Sequence, residues 1–227
     1  MKILVSALRS CIFAGLLFLI SLDTLAQNDK GNSLPQFLFP AFSRGTIVLK
    51  TGERFSAMLN YNMVDAIMVS KIDEIYRSAN NPSVFDTIYL QNRIFVPVEK
   101  TFYELLAAGP ANFYLEHKSS YTPVGNSIGY GAKSKSVGPT VYKRFEYSIY
   151  NEPVSVDLPP NVEVTPNSTY WVSKDKKMEK FNTEKQLLKL FPEKGNQLKD
   201  FIRKENLNLK NREDIIKVGI YCNTLLK

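Results

Sequence analysis

Two cysteines and one histidine are all that the 227 residues offer of the two side chains most used for metal binding and nucleophilic chemistry. Cys11 falls in a segment expected to be removed, so the finished chain keeps only Cys222 and cannot form an internal disulfide. Zinc sites need several imidazoles or thiolates, and one His with one Cys excludes a zinc site of the usual composition. A Ser–His–acid triad would have only His117 as its base, and no G-x-S-x-G elbow accompanies it. A Cys222–His117 nucleophile pair is formally available. The simpler reading makes Cys222 a small hydrophobe on the apolar face of the last helix. It also makes His117 a strand-end residue, exposed or held by a local partner. No internal repeat is present, and no apolar run after residue 26 reaches the ~20 residues that cross a bilayer.

What the sequence does have is concentrated first at its start. Lys2 and Arg9 are positive, residues 11–22 are uncharged and mostly apolar, and Thr24-Leu25-Ala26 puts small residues at the −3 and −1 positions before Gln27. A positive start, a short apolar core and a small-residue cut site predict a secretory signal over residues 1–26. Asp23 closes the apolar core too early for a membrane anchor, and Cys11 follows Leu8-Arg9-Ser10 at the very start of that core, so it is not the first residue after a cut, which argues against a lipid anchor. The product is expected to be exported, periplasmic or associated with the outer surface. It would be about 201 residues long, the 227 of the chain less the first 26. That length suffices for one domain with an appendage, and a composition 44% hydrophobic and 12% aromatic belongs to a globular chain.

The net charge of +7 is unevenly placed. Residues 27–170 hold 13 basic and 13 acidic residues, and residues 171–227 hold 14 basic and 8 acidic. A basic end suits lipid headgroups or an acidic polymer. The simpler reading is a solvated, Lys-rich helix face, with interspersed Glu and Asp forming pairs one turn apart.

Periodicity then divides the chain. Residues 27–42 are an irregular lead, whose Pro35 and Pro40 rule out a regular helix. Residues 43–181 read as β-rich. Hairpins are expected at 46–59, with Gly52 in the turn, at 86–98, with Gln91-Asn92 in the turn, and at 170–181, with a charged turn. Residues 102–106 and 113–117 are expected as further strands, with a short helical turn as the alternative for the first. Residues 119–140, rich in Gly, Ser, Lys and Pro, predict a long mobile loop, and residues 151–168 an extended connector. Over residues 182–227 the period changes to that of helices. Thr183 is a cap for the first, Pro192 suits the first turn of a second, and Asn211 caps a third with Glu213 and Asp214 in its first turn. Strands followed by helices without alternation predict an α+β fold: an antiparallel β domain, sandwich- or barrel-like, with about three short helices at its C-terminal end.

The motifs resemble a family. G-T-I-V-L-K-T-G-E-R-F-S-A-M-L-N-Y-N over 45–62 and D-T-I-Y-L-Q-N-R-I-F-V-P-V over 86–98 are followed by Phe102-Tyr103-Glu104 and Gly129-Tyr130-Gly131. Tyr170-Trp171-Val172, Lys189-Leu190-Phe191-Pro192 and Tyr221-Cys222-Asn223 complete the order. Together these resemble a group of uncharacterised exported proteins from Bacteroidota. The likeness implies a source and an envelope location, and it transfers no activity and no site residue.

Three constellations remain. Gly129 to Ser134 has ingredients of a phosphate loop, but Ala132 stands where a Gly must precede Lys133, so no nucleotide or other cofactor is expected. Glu99 with Glu104, or Asp73 with Glu74, are carboxylate pairs of the kind glycosidases use, although charged strand residues are ordinarily the solvent side of the alternation. Tyr142, Arg144, Tyr147 and Tyr150 mix aromatic and basic groups on a strand-like segment beside the loop that holds Tyr130 and Lys133. These six residues form the expected interaction surface. The partner expected is a protein or an envelope component, with export arguing against nucleic acid. The chain thus reads as a non-enzymatic exported binding protein. The alternatives are a carboxylate-dependent hydrolase of an envelope polymer and a structural module of a larger assembly.

Overall fold

The computed structural model describes residues 34–72, 75–79, 81–124, 127–128, 132–133, 156–159 and 161–227. The fold is α+β. Its main element is a ten-stranded antiparallel sheet in the order β14-β13-β8-β7-β6-β5-β1-β2-β3-β4. The strands are β1 (Ser43–Leu49), β2 (Arg54–Asn62), β3 (Ile67–Ile72), β4 (Ile75–Ser78), β5 (Phe85–Leu90), β6 (Arg93–Val98), β7 (Thr101–Ala107) and β8 (Asn112–Glu116), with β13 (Thr169–Lys174) and β14 (Lys177–Phe181) at the far edge. Two small ribbons are separate from it, β9 (Ser119–Pro123) with β12 (Val162–Pro166) and β10 (Ser127–Ile128) with β11 (Ala132–Lys133). Helices α1 (Glu184–Leu190), α2 (Gly195–Lys204) and α3 (Arg212–Leu225) follow.

Turn chemistry explains the hairpins. Gly52 has φ +87°, which a side chain would resist. Gln91 and Asn92 (φ 47° and 59°) and Asp175 and Lys176 (φ 52° and 62°) occupy the left-handed region at both central positions, as two-residue turns matched to strand twist require.

The sheet curls back on itself. Three strands separate β2 from β7 in the order, yet Tyr61 of β2 donates to the Phe102 carbonyl (3.0 Å), and Thr101 donates to the carbonyl of Ala66 in the β2–β3 turn. Beside them the Ser119 amide donates to the Met63 carbonyl at 2.9 Å. The curl encloses Leu59, Tyr61, Met68, Ile88, Phe95 and Phe102, with Phe39 of the lead packed among them. The other half of the same face, on β7, β8, β13 and β14, is covered by the helices. There Phe113, Leu115, Tyr170 and Phe181 pack against Leu187, Phe191, Leu198, Ile215 and Cys222. Each large apolar side chain buried this way contributes roughly 1.5–3 kcal/mol, so the tail docks on the β domain through its core.

Caps fix the helices. Thr183 Oγ1 accepts from the Gln186 amide, and Asn211 Oδ1 from those of Glu213 and Asp214. Two expectations need correction. Pro192 does not open α2, because the chain turns through residues 191–194 and the helix begins at Gly195. The predicted loop does not begin at 119 either. Residues 119–123 form β9, paired in register with Val162–Pro166 inside the expected connector. Main-chain pairing with a distant segment makes this ribbon, and no apolar period in residues 119–123 announces it.

Candidate functional site

The curled half of the sheet leaves a cleft of about 400 Å³ at the end that carries the β1–β2 turn. Ile47, Leu59, Met68 and Ile88 line it from four strands, with Phe55, Val84 and Phe85 completing the apolar wall. Ile47 and Phe55 are register partners, so the hairpin itself aims both rings and chains inward. Polar groups are few: Ser70, Ser78 and Asn81. Ser70 Oγ donates to the Arg77 carbonyl at 3.3 Å, and Asn81 Oδ1 accepts from Ser83. None of the lining residues is ionisable. Phe55, 48% exposed, and Val84, 44%, remain half open to solvent. Clefts that bind small ligands are typically roughly 300–1,000 Å³, mostly apolar, with a few polar groups to orient the guest. This one has that character.

A second feature lies where the curled and helix-covered halves meet. Glu104, 0% exposed, sits on β7 between Phe102 and Leu106 on the core face. His117 Nε2 donates to its Oε2 at 2.7 Å, Arg93 Nη1 to the same oxygen at 3.3 Å, and Arg212 Nε to its Oε1 at 2.7 Å, with Arg212 Nη2 on that oxygen too. Burial by itself would raise this carboxyl, but the hydrogen bonds from His117 and Arg212, with Arg93 behind them, hold it below the ordinary carboxylate value. Arg212 is the first residue of α3. The cluster therefore pins the helical tail to the centre of the sheet through a buried charge that Arg212, His117 and Arg93 match together.

The opposite face of the sheet has its own buried carboxylate. Glu116 accepts from Trp171 Nε1 at 2.9 Å and pairs with Lys118 Nζ at 2.5 Å. Burial first, and then the Glu116 charge, push the Tyr103 phenol well above its usual value. Cys222 lies at 0% exposure in α3, and burial pushes its thiol up to about 12, so it is an inert core residue.

The placement of the expected residues differs from the reading of the sequence in several respects. Tyr130, Tyr142, Arg144, Tyr147 and Tyr150 lie outside the described residues, as do the side chain of Lys133 and the pair Asp73–Glu74. His117 is buried, and its partner is Glu104, thirteen positions away. The sheet brings the two together because residue 117 extends the inward parity of Phe113 and Leu115 on the strand beside β7. Glu99 is exposed in the β6–β7 turn at φ 53°, whereas Glu104 is enclosed, so the two do not converge. Cys222 and His117 are each surrounded by other partners and form no nucleophile pair. Sequence reasoning missed the cleft, whose walls come from several elements. It also missed the burial of Glu104, for which a signal existed: its position repeats the core parity of Phe102 and Leu106.

Among the described residues no group of three or more His, Cys, Asp or Glu could hold a metal ion, and no described helix is long and apolar enough to cross a membrane. No family model, curated protein or solved structure matches this chain.

Proposed function

We propose that this is an exported cell-envelope protein that works by binding rather than by catalysis, and that its cleft receives the hydrocarbon chain of an envelope lipid. The cleft carries the reading: it is concave, about 400 Å³, lined by apolar side chains and free of ionisable ones. Burying a charged head there would be costly without a partner, so the part of the ligand inside is an uncharged chain. Each methylene removed from water contributes about 0.8 kcal/mol. The residues 1–26 pattern supports export, and the resemblance to exported Bacteroidota proteins supports an envelope setting. The hydrolase alternative draws no support from the buried carboxylates, since Glu104 and Glu116 are each engaged by cations or an indole.

A fluorescent long-chain alcohol titrated into the protein should bind saturably. Ala79 also lines the cleft, and Ala79→Trp, which places a large side chain there, should abolish that binding while far-UV circular dichroism shows the protein still folded. Absence of saturable binding, or equal binding by Ala79→Trp, would overturn the reading. N-terminal sequencing of the protein recovered from the envelope should begin at Gln27; residues 1–26 retained in a cytosolic protein would remove the envelope setting.

A further inference from the structure

We propose that the α1–α2 end of the molecule docks on a bilayer surface that carries anionic phosphate headgroups. This surface is separate from the cleft and does not depend on what the cleft holds. The basic excess of the chain lies here: residues 174–204 hold ten basic and five acidic residues. The pairing that would neutralise a Lys-rich helix face is missing from it. Among the described residues the ion pairs of the helices are Arg212–Glu213, Arg212–Glu104 and Lys217–Asp214, all on α3. Lys185, Lys189, Lys199, Arg203 and Lys204 of α1 and α2 have none.

The spacing of these cations compounds the effect. Lys185 and Lys189, and likewise Lys199 and Arg203, stand four apart on their helices, where like charges face each other and weaken the helix. The positions are therefore poor for helix stability, and an anionic partner relieves them. Geometry gathers the charge. A shallow open groove between α1 and α2 is lined by Lys185, Lys189 and Lys199 against the single acid Glu184, with Leu188 and Pro192 as its apolar floor. Pro192 continues into an adjoining hollow that carries Lys174 and Lys194 with one acid, Glu193, and there Lys174 also pairs with Asp175 at 3.9 Å. A lysine rim over a shallow apolar floor matches an interface of phosphate heads above acyl chains. Lysines near such a surface attract it additively, with an effect that fades within a Debye length.

The test is co-sedimentation of the full chain with phosphatidylcholine vesicles and with vesicles that also contain phosphatidylglycerol. Any affinity of residues 1–26 for lipid, including that of Lys2 and Arg9 for anionic headgroups, is shared by the wild type and both triple variants below. The protein should sediment with the anionic vesicles and be released by salt. Lys185→Gln/Lys189→Gln/Lys199→Gln should lose about a hundredfold in affinity, at roughly one lysine's share each; Gln keeps a helix propensity close to that of Lys. Lys50→Gln/Lys100→Gln/Lys210→Gln, an equal loss of charge at exposed positions elsewhere, should bind as wild type. Equal binding to both vesicle types would overturn the proposal. So would equal losses in the two triple variants, which would reduce the effect to net charge. Release by soluble inorganic phosphate at low concentration would do the same, assigning the groove to a free anion instead of a bilayer.

Discussion

Strands β7, β8, β13 and β14 carry three helices on their inner face, whereas among the described residues the inner face of β1 to β3 and β5 is covered by the curling of the sheet and by Phe39 of the lead. Both interiors are built from Phe, Leu, Ile and Tyr. The helix-covered half is filled by its helices, because α1, α2, α3 and the turn at Phe191 supply Leu187, Leu198, Ile215 and Phe191 to one core cluster with residues of the sheet. The curled half is filled at its centre, around Tyr61, Phe95 and Phe102, and open at one end. Curling brings strand centres together and lets strand ends splay, so a rolled sheet without a helix over its mouth leaves a concave apolar space. Glu104 stands between the two halves and ties α3 to the sheet.

The largest expected effect is at that seam. Glu104→Ala leaves Arg212, Arg93 and His117 without their common partner, and breaking a buried ionic cluster costs about 3–5 kcal/mol. Urea denaturation followed by far-UV circular dichroism should show the loss. If the helix-covered half is held mainly by apolar packing, the loss will be well under this, and the cluster is then an accessory. Gly219→Ala tests the packing itself. A Cβ there would stand 2.8 Å from Ala107 Cβ and 3.0 Å from the Phe113 ring, so α3 must lift away from β7 and β8. Overpacking of this kind costs about 1–3 kcal/mol; a midpoint equal to wild type would mean that α3 is loosely seated.

Acid sharpens the same comparison with a smaller shift. The folded carboxyl of Glu104 is held below its ordinary value, so its stabilisation is complete above the unfolded carboxylate pKa of about 4.3 and is lost as pH falls through the folded value. The urea midpoint should fall on acidification across that window. In Glu104→Gln the same titration should be flatter, and an unchanged slope would assign the acid sensitivity to other carboxyls. The smallest effect is expected at the cleft. Phe55 is half exposed at its lip, so Phe55→Ala should change stability by only about 0.5 kcal/mol while weakening capture of a long-chain alcohol. A loss comparable to that of Gly219→Ala would show that the cleft wall is core and not a lip.

Much of the fold was legible because its cues are local. Alternation of apolar residues, positive-φ turns at Gly52 and Gln91–Asn92, and the caps Thr183 and Asn211 each act within a few residues, and the structure uses them where the sequence places them. The β9–β12 ribbon was illegible because Ser119, Ser120 and Thr122 have no apolar period and are held by main-chain bonds to Val162–Pro166, some forty residues on. The start of α2 moved past Pro192 because residues 191–194 turn before the helix can begin. The seam was half legible. A carboxylate at a core-parity position demands cations, but nothing near it in sequence says that Arg212, 108 residues away, is one of them.

The sequence by itself determined three hairpins of the main sheet with their turns, the helix caps and the scarcity of imidazole and thiol, since each depends on residue type or on neighbours a turn apart. Tertiary structure alone decided which strand meets which across the curl, that His117 and Glu104 face inward together, and that apolar side chains from four strands and the segments between them stop short of closing one end. Those outcomes depend on how far the sheet bends and where the helices land, and both are settled by contacts between residues tens to more than a hundred positions apart.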